Sequence, residues 1–267
     1  MSAPQLSYRI FPVVDNEPTF TWAAYRVLHA GDRLNELEAL HEQTAQEWQS
    51  RLTVSVNPSD PAAGVELDFA GVQDDFETFG HSLAAHASEV IHHLRSALDF
   101  LAYNAAWRDS GEQNKDALFP LDLKSGEWNR REKRHTRGIS TEHREWIREV
   151  QPFTGVLWSR QLKLLSNSDK HFQRVRVVPA LETIASANVL TGPHPNRAGF
   201  FLLEVQSESI HLLIADPLRE EGGDDEYVDA SHFLWNLIDN VRKLVNRFLV
   251  DEGHEPVQLV SMPRATP

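Results

Sequence analysis

Apolar and polar positions change period several times along this chain, and each change predicts an element. The stretches "SYRIFPVV" (7–14) and "TFTWAAYRVL" (19–28) alternate, which predicts two strands separated by the breaker-rich "DNEP". From Gly31 the spacing lengthens: Leu34, Leu37, Leu40 and Trp48 recur three or four residues apart within "GDRLNELEALHEQTAQEWQSRL", which predicts a helix. "LTVSVNP" and "GVELDFAG" flank the loop "SDPAA" and read as a strand pair. Residues 74–111 then form the longest helical pattern, opening on acids that suit a helix N-terminus and ending on Gly111. Leu83, Ala87, Val90, Ile91, Leu94, Ala97, Leu98 and Leu101 make its apolar stripe.

Beyond this helix, "LFPLDL" predicts an extended approach to two short helices. Ser140-Thr141-Glu142 opens the second of these, and Pro152 follows its end. "VLWSRQLKLLSNSDKH" (156–171) predicts a further helix ending near Asn167, a residue type that tolerates the left-handed conformation found after helix ends. "QRVRVVPAL", "TIASANVL", "GFFLLEVQS" and "SIHLLIADP" are β-rich and punctuated by turns, which predicts an antiparallel sheet over 172–217. "DPLREEGGDDEYVD" lacks the alternating ligand positions of a calcium loop and reads as a solvated loop. The last helix covers 230–253, with Phe233, Leu237, Val241, Leu244 and Phe248 on one face. The expected class is α+β: a long central helix in a bundle-like group of helices, with an antiparallel sheet built from the N-terminal and 172–217 segments. Residues 1–253 are expected to form one domain, divisible at 72/73, with 254–267 as a loose tail.

Composition narrows the function classes. The chain has 267 residues, a formal charge of −13 and no cysteine. The charge argues against a surface that coats nucleic acid or anionic membrane as a whole. Without cysteine there is no disulfide, thiolate metal site, iron–sulfur cluster or thiol nucleophile. "MSAPQLSYRIF" lacks a signal-peptide pattern, and no run of about 18 apolar residues occurs, so a cytoplasmic protein without a membrane partner is expected. Dinucleotide, P-loop and nucleophile-elbow signatures are missing, and "HEQTA" has Ala45 where a zinc-protease helix needs its second His. No cofactor and no metal are expected. His86 and His93, seven residues apart, are too far apart to chelate one ion directly.

The candidate chemistry lies at "LRSALD" and "SNSDKH". On the long helix, Arg95 and Asp99 are four apart on one flank of the apolar stripe, whereas His86, His93 and Asn104 fall on the other. Lys170 and His171 suit the negative end of the 156–171 helix, but Asp169 is repelled by it and calls for a distant cation, with Arg95 the first choice. One reading is a polar clamp of Arg95, Asp99, Asn167 and Asp169 that fixes two helices. The other is catalytic, with His171 and His93 as base and acid and Lys170 or Arg95 stabilising an anionic transition state. Residues 128–148 carry seven Arg/Lys against three Glu, so Arg130, Arg131, Lys133, Arg134 and Arg137 could bind RNA, with Trp128 and Trp146 stacking on bases. The favoured reading of the same stretch is a solvated, charged helix face with Glu132, Glu142 and Glu145 placed to pair along it and its Trp residues in the core, RNA binding being the alternative.

"HHLRSALDFLAYNAA", "LFPL", "VQPF" and "LKLLSNSDKH" together resemble an uncharacterised bacterial family with LRSALD-like and N-x-DKH-like motifs at similar separation. That resemblance implies a mainly helical motif region and no particular activity. Phe172 stands where the family pattern leads one to expect Arg. "RGISTEH", Arg137 to His143, is similar to the Arg-and-His motif of HEPN domains, which implies a metal-independent ribonuclease. Two functions are therefore expected to compete: a non-catalytic protein with an internal Arg/Asp/His clamp, working through a protein partner or its own copies, and a HEPN-like RNA-processing, toxin or defence ribonuclease.

Overall fold

The computed structural model describes residues 17–49, 53–56, 65–68, 73–170, 177–181, 184–185, 190–193, 201–203, 206–207, 210–215, 217–218 and 227–259. Helix α1 is Thr21–Gln49, and it absorbs "TFTWAAYRVL", where alternation suggested a strand. The correction has a physical reason in the small residues. Phe20, Ala23, Ala24, Val27, Ala30, Leu34 and Leu37 are all buried, at the three-to-four-residue spacing of one helix face, and alanine carries the highest helix propensity. The carboxylate of Glu252 accepts from Phe20 N at 3.1 Å and so caps the start of this helix. "SYRIFPVV" lies outside the described residues.

Strands β1 (Thr53–Val56) and β2 (Val65–Asp68) form the expected antiparallel pair, with Thr53 opposite Asp68 and Val56 opposite Val65. Helix α2 runs from Gln73 to Ser110, and every residue of its predicted stripe is buried. Helices α3 (Ser125–His135) and α4 (Thr141–Glu149) follow, the second capped by Ser140, whose hydroxyl accepts from His143 N. A single 3-10 turn at Pro152–Thr154 leads to α5, Leu157–Lys170. Asn167 does not end α5: the helix continues through Lys170, since helix propensity at a polar residue is only a weak preference.

The β-rich region yields β3 (Val177–Leu181), β4 (Ile184–Ala185), β5 (Leu190–Pro193), β6 (Phe201–Leu203), β7 (Gln206–Ser207), β8 (Ile210–Ala215) and β9 (Tyr227–Asp229). Three antiparallel groups replace the one sheet expected, in the orders β2-β1-β6-β5, β3-β8-β9 and β4-β7. Strands this short bury little surface each, so turns redirect the chain before a wide sheet can accumulate. The acidic segment is not wholly loop, because Tyr227–Asp229 pairs with β8, Val228 opposite Ile214. Helix α6 is Ala230–Asp251, and its predicted apolar face is buried throughout.

The class is thus α+β, with helices predominating. The chain divides into two compact units, 1–33 with 89–173 and 234–267, and 34–88 with 174–233. All nine described strands belong to the second unit, where Trp48 and Phe79 also meet edge to face at 5.0 Å. In the first unit Phe20 and Phe248 pack edge to face at 5.1 Å. There Val257 is buried, its N–H donating to Asn246 Oδ1 at 2.8 Å and its carbonyl accepting from Asn246 Nδ2 at 2.9 Å. No described helix is long and apolar enough to cross a membrane.

Candidate functional site

Both predicted polar motifs contribute to one cleft in the first unit, and its frame begins on α2. Arg95 and Asp99 lie one helical turn apart and pair bidentately, with Nη2 to Oδ1 at 2.7 Å and Nε to Oδ2 at 3.2 Å. The pair also completes the backbone of buried Phe119. Arg95 Nη2 donates to the Phe119 carbonyl at 2.6 Å, and Phe119 N donates to Asp99 Oδ1 at 3.0 Å. Two side chains thereby do for Phe119 what a neighbouring strand would do, satisfying a buried donor and acceptor. The clamp fixes the extended 118–122 segment to α2, and it holds the Arg95 guanidinium in one orientation.

The cleft has a volume of about 130 Å³. Its polar walls are Arg95, Asp122, Arg131, His135, Lys163 and Asn167, and Leu118 to Leu121 supply most of the apolar wall. Arg131 and His135 come from α3, while Lys163 and Asn167 come from α5. Three Arg or Lys side chains thus share the cleft lining with one carboxylate, that of Asp122.

Asp122 is 1 % exposed. Its N–H donates to Gln151 Oε1 at 3.1 Å, and Gln151, itself buried, donates to the Ile147 carbonyl at 2.9 Å, which fixes the backbone here. One carboxylate oxygen accepts from Arg131 Nη1 at 3.3 Å. The other, Oδ2, is buried and has no hydrogen-bond partner among the described residues. Burial raises the Asp122 pKa above its ordinary value, and nearby Glu127 adds to the rise, while Arg131 and Lys163 oppose it.

A second polar cluster in the same unit is closed. His143, on α4, donates from Nδ1 to Asp109 Oδ2 at 2.7 Å and from Nε2 to Asp251 Oδ2 at 3.2 Å. Phe20, Trp146 and Phe248 surround the imidazole, with ring centroids 4.8–6.2 Å away. Burial works against its charge, but the hydrogen bonds and charges of Asp109 and Asp251 outweigh burial and hold its pKa above the ordinary value. The Asp109 side chain is 11 % exposed and burial opposes its charge, yet His143 and the Ser140 amide, which donates at 2.7 Å, hold its carboxyl below the usual range. Gly138 lets the preceding loop seat on α2, with φ of +90° and an added Cβ only 3.1 Å from the Ala106 carbonyl oxygen. Both nitrogens of the His in the HEPN-like "RGISTEH" are therefore engaged by carboxylates.

The remaining predicted residues separate. His93 does not line the cleft: its Nδ1 accepts from Arg26 Nη1 at 3.3 Å and its ring stacks near His29 at 5.5 Å. Burial first, and then Arg26 and the neighbouring His29, His92 and Arg33, lower its pKa. Arg130 turns to the Gly126 carbonyl, Arg134 reaches Asp116 at 3.4 Å, and Lys133 and Arg137 are exposed. Trp128 is a buried core residue beside Phe153, while Trp146 carries the Arg247 guanidinium over its ring at 4.3 Å. His171 lies outside the described residues, as do the side chains of Asp169 and Lys170, including the expected Asp169–Arg95 contact. Among the described residues no group of three or more His, Asp or Glu is placed to hold a metal ion.

Sequence reasoning missed Asp122, Lys163 and His135. A signal existed for Asp122, since an acid inside the apolar run "LFPLDL" has to be accounted for by a partner or a function. Lys163 and His135 carry no such mark, being ordinary polar residues on amphipathic helices. Compared with protein-family models, with curated proteins and with solved structures, the chain matches none.

Proposed function

We propose that this protein acts by binding rather than by catalysis, with the Arg95–Asp99 clamp as a fixed frame and the adjoining cleft as the receptor for a small anionic group. One observation carries the reading: the guanidinium of Arg95, held by three hydrogen bonds, opens onto the same cleft as Arg131 and Lys163. A preorganised cation loses little side-chain freedom when an anion arrives, so more of the interaction energy is kept as affinity. Titration calorimetry with inorganic phosphate tests it. Saturable binding that weakens with added salt and falls about ten-fold in Arg131→Ala is expected; absence of any saturable binding sinks the proposal.

A second reading, the HEPN-like metal-independent ribonuclease, draws support from Arg131 and His135 of the basic stretch sharing a cleft with Arg95 and Asn167. In that reading His135 takes the place of His143 in the site, because His143 is committed to two carboxylates. RNA cleavage in excess EDTA that is lost in His135→Ala would favour it over binding alone.

A further inference from the structure

We infer that the ligand of this cleft is bipolar: an anionic group facing Arg95, Arg131 and Lys163, joined to an amine or amide whose N–H donates to Asp122 Oδ2. The inference rests on the cleft being a receptor and goes beyond it, because an anion alone leaves the Asp122 carboxylate as it is. A buried carboxylate oxygen without a partner is costly to desolvate, and native proteins carry few such groups without a reason. Here the orphan oxygen belongs to a residue that lines a cleft and is otherwise immobile, its N–H fixed by Gln151. The carboxylate's one side-chain hydrogen-bond partner among the described residues is held loosely. Arg131 reaches Oδ1 at 3.3 Å and is 56 % exposed, so it can swing aside and still meet the ligand's anionic end.

The flanking helices point the same way. His135 lies in the last turn of α3 and Asn167 near the end of α5, so the cleft lies beside the negative ends of two helix dipoles. Those ends and Asp122 favour a positive or donating group, whereas Arg95, Arg131 and Lys163 favour a negative one. An anion alone answers only half of this wall, as a cation alone would. A compact zwitterion answers both, and the cleft volume of about 130 Å³ suits a small molecule rather than a polymer.

The test uses the full chain and two matched pairs of probes differing by one amino group: phosphoethanolamine against ethyl phosphate, and glycine against acetate. Calorimetry should show the amino-bearing member of at least one pair binding about ten-fold more tightly, the scale of one charge-assisted hydrogen bond. Asp122→Asn should remove that advantage, and because it takes a negative charge out of the cleft the amine-free member should bind as tightly or more tightly than before. Equal affinities within both pairs overturn the inference even if Asp122→Asn fails to fold, and would mean that Oδ2 serves an ordered water only. In that case binding of inorganic phosphate still stands for the receptor reading; if phosphate and all four probes fail to bind, receptor and inference fall together.

Discussion

His143 and Asp122 are both buried titratable residues of the first unit, yet one has every polar atom matched and the other does not. His143 is gripped at both nitrogens by carboxylates from α2 and α6 and sealed by three aromatic rings. Asp122 is anchored through its backbone, touches one exposed arginine, and keeps an oxygen unpaired beside a cleft. Complete satisfaction serves stability, because low local dielectric strengthens each bond and nothing remains to be solvated. Incomplete satisfaction opposes stability, and it is the state expected of a group kept for a ligand. The contrast separates a structural clamp from a candidate receptor within one packed unit.

The largest expected effect is on the closed cluster. His143→Ala should cost about 3–5 kcal/mol in denaturant unfolding, because it empties the buried imidazole's place among three aromatic rings and leaves the largely shielded Asp109 carboxylate without its cation; a cost below about 1 kcal/mol would mean that the cluster is not structural. Arg95→Ala should cost about 2 kcal/mol through the lost Asp99 and Phe119 bonds and should also abolish phosphate binding. Loss of stability with unchanged binding would detach Arg95 from the receptor.

The pH profile divides the two clusters next. His143 has a raised pKa, so its stabilisation is fully present below its ordinary value of 6.5 and is lost as pH rises through the raised folded value. Asp109 is depressed, so its contribution is present above its ordinary value of 3.8 and is lost as pH falls through the lower folded value. Asp122 is raised, so its protonated form favours folding and that contribution is lost as pH rises through its folded value. Urea unfolding across pH 3–9 should therefore lose its alkaline fall in His143→Gln, and an unchanged profile would contradict the assignment. The smallest change is expected for Asp122→Asn, within about 1 kcal/mol of the natural protein or more stable, since it removes a poorly compensated buried charge. A loss above about 2 kcal/mol would show that Asp122 is structural after all.

Most helices were legible because apolar side chains recur at the helix period, and burial of α2 and α6 follows that recurrence residue by residue. The start of α1 was not, because over ten residues threonine, tryptophan and tyrosine imitate a strand while small alanines carry the true face. Ser140 was legible as a cap because capping is local. The Arg95–Asp99 pair was legible too, being one helical turn apart.

What lies between distant segments was decided elsewhere. Nothing near residue 143 announces that Asp109 and Asp251, 34 and 108 positions away, will close on its imidazole. Likewise Phe119 meets Arg95 across 24 positions, and Arg131 reaches Asp122, with Lys163 lining the same cleft, only when α3 and α5 pack around the 118–122 segment. The linear pattern determined helix positions, caps and one-turn ion pairs, since those depend on neighbours within a few residues. The tertiary structure decided which polar residues are sealed and which face a cleft, because burial and long-range hydrogen bonds are properties of packing.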